Sequence, residues 1–180
     1  VLTTGVSLQF TINKKVNNNS ILIMNNKFIK FYNNLVKLTR NKILYKDFTN
    51  QDTFSDRLLI FLFHFAFFLN IFKSEARKET LQSVFDYIFN HLETSIREIG
   101  YGDASINKKM KTYINTFYSI LSKVDKWEDF DLQSRKKIFK DYLNVKNESL
   151  ILVDYFENYR NFLKKNSLNS LLKGVSKLNF

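Results

Sequence analysis

Turnover needs a few side chains held in a fixed relation, and this chain offers few candidates. His64 and His91 are its two histidines, and it has no cysteine. Neither histidine belongs to a metal-ligand spacing or to a nucleophile–base set. The missing cysteines remove disulfides, thiolate metal sites and thiol nucleophiles. His64 sits inside an apolar run, which predicts a core histidine bonded to a backbone carbonyl. Asp52, Asp56, Glu75 and Glu79 read as helix-start acids, where negative charge is favourable. Gly100-Tyr101-Gly102 lacks the third glycine and the preceding strand of a dinucleotide fingerprint, and no Walker motif occurs. The sequence therefore predicts no catalytic residue, metal or cofactor. An enzyme on a helical scaffold, acting on lipid for example, would need a convergent acid, base or metal set.

Binding chemistry is better represented. Gly100 and Gly102 are two of only four glycines. Gly100 is placed to end a helix at positive φ, and Gly102 permits close backbone approach. Asp103 or Ser105 can cap the helix that follows. The segment reads either as a tight structural corner or as a contact loop with Tyr101 exposed at its tip. Arg97 and Glu98 are adjacent and do not face each other on one helix; Arg97 with Asp103 across the corner is one pairing. Lys108, Lys109 and Lys111 crowd the first turns of the next helix, where cations oppose the helix dipole. They are either a solvated face or a contact for membrane or RNA phosphate.

The elements that must position these residues are helices. There is no proline among 180 residues, which argues against a many-turned sandwich or barrel. Net charge is +11 and the pI about 9.7, which suggests an anionic partner. An AT-rich genome, through its Lys, Asn, Ile, Phe and Tyr codons, would push composition the same way. Residues 1–24 alternate at Val6, Leu8, Phe10 and Ile12 like a strand, and read as an N-terminal extension or upstream sequence rather than a signal peptide. One domain is expected over 25–180. Apolar spacing predicts an amphipathic helix from Lys27 to Tyr45. Asp52, Thr53 or Ser55 can cap the next. Leu58 to Phe72 is apolar all round. At about 1.5 Å per residue it reaches only about 22 Å, short of the ~30 Å hydrocarbon layer, and Arg57 and Lys73 close it. A buried central helix is expected. Ser74 can cap a helix running to about Glu98; others follow to Leu121, from Asp131 or Ser134 to Leu143, from Leu150 to Leu163, and from Leu168 to Leu178.

Three stretches resemble the ubiquinol–cytochrome c chaperone family. The first is Phe31-Tyr32, Tyr45 and Asp52-Thr53-Phe54-Ser55-Asp56-Arg57. The second is the apolar helix with His64, to Leu69. The third is Phe85-Asp86, Arg97-Glu98-Ile99-Gly100-Tyr101-Gly102-Asp103, Lys108-Lys109-Met110-Lys111 and Phe117-Tyr118. The chain departs at Ser119-Ile120, where the family tends to carry Gly-Arg. The resemblance implies an all-α, single-domain bundle of about six to seven helices around Leu58 to Phe72. It implies a non-enzymatic assembly chaperone with cytochrome b as client, supporting assembly of ubiquinol–cytochrome c reductase. Arg97, Glu98, Gly100, Tyr101, Gly102 and Asp103 would then contact client or partner, and Lys108, Lys109 and Lys111 an anionic surface. A small partner protein and contact with the ribosome or membrane are further expectations. The location would be peripheral, on the cytoplasmic face of a bacterial inner membrane or the matrix face of the mitochondrial one. The alternative is a basic helical RNA- or ribosome-binding module.

Overall fold

The computed structural model describes residues 28–49, 53–74, 76–100, 103–146 and 149–174. Among these, seven α-helices form one all-α bundle: α1 (Ile29–Leu38), α2 (Phe54–Phe72), α3 (Lys78–Glu98), α4 (Asp103–Val124), α5 (Leu132–Tyr142), α6 (Leu150–Lys164) and α7 (Leu168–Leu172). Two 3-10 turns, Lys42–Tyr45 and Trp127–Asp129, complete the order. The strand-like pattern expected before Ile12 lies outside the described residues.

The centre is α2. Thr53 starts it with a capping box: its hydroxyl accepts the Asp56 N–H, and the Asp56 carboxylate accepts the Thr53 N–H. Of the three expected caps, Thr53 takes the role, so the helix begins four residues before Leu58. Every side chain from Ile60 to Leu69 is buried. By length and composition α2 is the one helix among the described residues that could cross a membrane, but here its neighbours sheathe it. Phe68 meets Phe31 of α1 at 4.3 Å between ring centres, Phe65 meets Phe117 of α4 at 5.2 Å, and Phe67 meets Phe156 of α6 at 5.2 Å. An all-apolar helix needs such cover on every side, because it has no face to give to water.

The predicted helix from Lys27 to Tyr45 is instead broken. It stops at Leu38, where the Thr39 hydroxyl bonds the Val36 carbonyl at 2.7 Å and the Tyr45 hydroxyl bonds the Thr39 carbonyl at 2.5 Å. Asn41 then accepts the Ile43 N–H and opens the 3-10 turn. Short polar side chains compete for the backbone in this way and end helices. The chain next clasps a distant segment. Phe48 bridges Val145, the Thr49 N–H reaches the Asn144 carbonyl, and the Ser149 hydroxyl donates to Asp47.

Ser74 does not cap α3. The Ala76 N–H still bonds the Phe72 carbonyl, so the turn after α2 uses that stretch, and α3 starts beyond Arg77 with no side-chain cap. Asp131, Ser149 and Ser167 cap α5, α6 and α7 through their side chains. The last helix ends at Leu172 rather than Leu178. Gly174 follows at φ +66, and a Cβ there would lie 3.0 Å from Lys30 Cβ. Glycine thus lets the end of α7 close on α1.

Candidate client-binding site

The histidines are accounted for by packing. His64 is fully buried; Nδ1 lies 2.7 Å from the Ile60 carbonyl and Nε2 2.8 Å from the Tyr155 hydroxyl. Nδ1–H therefore donates to the carbonyl, and Nε2 accepts from Tyr155. Burial lowers the ring's pKa to about 3, against the pull of the Ile60 bond, and burial also raises Tyr155 far above the usual tyrosine range. The pair stays neutral and saturated, as expected of a core histidine. His91 stacks on Tyr87 and meets Tyr32 edge-on. Among the described residues, no three His, Cys, Asp or Glu side chains stand together as a metal site.

The α3–α4 corner is built differently. Its apolar stripe, ending in Leu92 and Ile96, is buried against the core. Arg97 turns back along its own helix, with Nη2 at 2.7 Å and Nε at 3.2 Å from Glu93 Oε1. Both partners are more than a third exposed, a setting in which such pairs contribute little. Glu98 is exposed; its charge adds to burial in raising the Tyr32 pKa. Gly100 adopts φ +99, as the sequence predicts for a helix-ending glycine, and its N–H bonds the Arg97 carbonyl at 2.9 Å. A Cβ at Gly100 would meet nothing within 4 Å. Tyr101 and Gly102 lie outside the described residues. Asp103 opens α4, and its side chain is likewise outside them, as is the suggested contact to Arg97.

One turn and more into α4, Lys108 and Lys111 are exposed and Lys109 is half-buried, while Ile106 and Met110 face the core. Lys108 and Lys111 are three apart and share a face; neither has an ion pair among the described residues. The structure adds a residue that sequence reasoning did not assign to the site. Ile99 is 58% exposed, the most of any large hydrophobic residue among the described residues. It continues the stripe at i+3 from Ile96, so its spacing alone reads as core. The only hint is its position against the helix-ending glycine. The corner thus presents an open apolar side chain, a left-handed glycine and two unpaired cations.

The ubiquinol-cytochrome C chaperone family model matches residues 46–177, which spans the corner and all helices from α2 onward. The chain belongs to the ubiquinol-cytochrome C chaperone family. Membership makes it a chaperone for assembly of the ubiquinol–cytochrome c complex. The crystal structure of the Cbp3 homolog from Brucella abortus is similar to it, with a TM-score of 0.67 and 22% identity over 87% of this chain and 91% of that one. At that identity the likeness speaks for the fold, and it is the all-α fold found here. Comparison with curated proteins gives no significant match. Within this chaperone, the resemblance seen in Arg97 to Asp103 and in the following lysines falls inside the matched span.

Proposed function

We propose that this chaperone binds newly made cytochrome b stoichiometrically, without turnover, and hands it on to assembly of ubiquinol–cytochrome c reductase. The carrying observation is the α3–α4 corner, where Ile99 stands 58% exposed beside the left-handed Gly100. A client rich in apolar helices offers such a side chain something to bury against. Burying an isoleucine contributes about 1.5–3 kcal/mol when complete. Arg97, Glu98, Gly100, Tyr101, Gly102 and Asp103 form the client or partner contact in this reading. Lys108, Lys109 and Lys111 meet an anionic surface beside it. A small partner protein and the ribosome are further candidates for the same corner. The protein works peripherally, on the side of the membrane where cytochrome b is made: the cytoplasmic face in a bacterium, the matrix face in a mitochondrion.

The test is a pull-down from native membranes probed for cytochrome b. Ile99→Asp and Tyr101→Ala should lower recovery at least about fivefold, which corresponds to roughly 1 kcal/mol, with helical content and melting unchanged. Undiminished recovery with both variants would remove the client role from the corner. If the corner instead serves RNA, ribosomal RNA affinity should fall steeply with salt, by a log–log slope of about −2 to −3 from three lysines. Lys108/Lys109/Lys111→Glu should then abolish RNA binding and leave cytochrome b recovery intact.

A further inference from the structure

We infer that α1 and the 3-10 turn after it form a docking ridge for an anionic lipid bilayer, separate from the α3–α4 corner. Residues 28–49 carry five cations, Lys30, Lys37, Arg40, Lys42 and Lys46, against one acid, Asp47. All five cations are exposed. None has an ion pair or side-chain hydrogen bond among the described residues. Some surface cations elsewhere do find carboxylates, as Lys73 does with Asp125, Arg97 with Glu93 and Lys137 with Asp141, while Lys108 and Lys111 do not among the described residues. Two carboxylates approach the ridge. Asp47 is half-buried and takes the Ser149 hydroxyl at 2.7 Å, and Glu98 acts on Tyr32 from α3. They leave the ridge strongly positive.

Its shape favours lipid over nucleic acid. The opposite face of α1, Phe31, Tyr32, Leu35 and Leu38, is committed to the core, so the cations are held outward on a rigid helix. Lys30 and Lys37 are two turns apart along one stripe, with Asn33 and Asn34 between them and no acid on α1. Beyond the helix, Ile43 is 41% exposed between Lys42 and Lys46. The clasp through Asp47 brings Ser149, and with it the 46%-exposed Leu150, to the same end of the bundle. An exposed aliphatic side chain flanked by lysines suits the headgroup boundary, where apolar tips enter and ammonium groups stay among phosphates. Binding of single-stranded RNA would call instead for exposed aromatic platforms. The ridge lies ahead of residues 46–177 that the family model matches, apart from Lys46 itself. The inference deepens the peripheral location proposed above and does not depend on the client.

Flotation of the purified chain with phosphatidylcholine vesicles, with and without phosphatidylglycerol, tests it. The protein should float only with the anionic lipid. The variant K30Q/K37Q/R40Q/K42Q should lose at least about tenfold in partitioning, since each cation near an anionic leaflet contributes about a fivefold factor. I43S should weaken binding while leaving its salt dependence unchanged, and K108Q/K109Q/K111Q should lose less than the ridge variant does. Apart from half-buried Lys109 the variants alter exposed residues, and a helical melt matching the parent confirms their fold. Loss only with the corner-lysine variant overturns the ridge and keeps the peripheral location. No flotation of the parent overturns both. An unchanged I43S removes the inserted side chain from the account. If the ridge variant loses ribosomal RNA but keeps vesicles, the ridge belongs to RNA and the inference falls.

Discussion

Two single residues give sharp tests. Gly100 holds φ +99 with open space where a Cβ would go, so Gly100→Ala meets no steric clash. Its cost is the left-handed backbone alone, about 1–2 kcal/mol. For a chain of this size that lowers the melting temperature by roughly 2–8 °C; a thermal melt indistinguishable from the parent would contradict the geometry. His64 makes stability depend on pH. In the folded chain the ring resists protonation down to about pH 3, whereas the unfolded ring takes a proton near its ordinary 6.5. Between those values the unfolded state binds more protons. Stability therefore falls as pH drops through this window, by up to about 1.4 kcal/mol per unit. His64→Gln keeps a donor for the Ile60 carbonyl and an acceptor for Tyr155 but cannot titrate. It should start less stable at pH 7 and lose less between pH 7 and 5. Parallel melting curves for the two proteins would show that His64 is not the sensor.

At the scale of elements, α2 decides the behaviour in solution. Its phenylalanines are spent on α1, α4 and α6, so the chain should purify without detergent and melt cooperatively. Recovery only in detergent, with resistance to alkaline extraction from membranes, would mean that α2 lies in lipid. This helix was legible in the sequence because a run with no polar face has one use in a folded bundle. Thr53 was legible only as one of three candidate caps, because the reciprocal bond with Asp56 that selects it forms in the folded helix. The break after Leu38 was not. Leu35, Leu38 and Ile43 carry the helical spacing past it, and the Tyr45 hydroxyl that secures it acts only once the chain is folded. The Phe48–Val145 clasp joins segments whose patterns say nothing of each other. In the corner, the glycine that ends α3 could be read directly. The exposure of Ile99 could not, because it depends on where the neighbouring helix stops. The unpaired state of the α1 cations is likewise a property of the assembled surface; the sequence showed only that basic residues were plentiful.

Taken whole, the molecule is closed by contacts distant in sequence. The clasp ties Asp47 to Ser149 and Phe48 to Val145, and α6 covers α2 through Phe156, which touches Phe63, His64 and Phe67. That order has a consequence during synthesis. Roughly 80 residues separate the end of α2 from the start of α6. At about 5–20 residues per second, the ribosome needs some 4–16 s to make them. Through that interval the most apolar of the described helices has left the tunnel without its last cover. Nascent chains stalled ahead of Leu150 should accordingly be cut by protease within Phe61 to Phe72 and should bind a hydrophobic dye. Chains released after Gly174 should do neither. A stalled chain as resistant as the finished one would mean that α1, α3 and α4 suffice as cover. Otherwise a protein that shelters unfinished partners passes through a stage in which it needs shelter of its own.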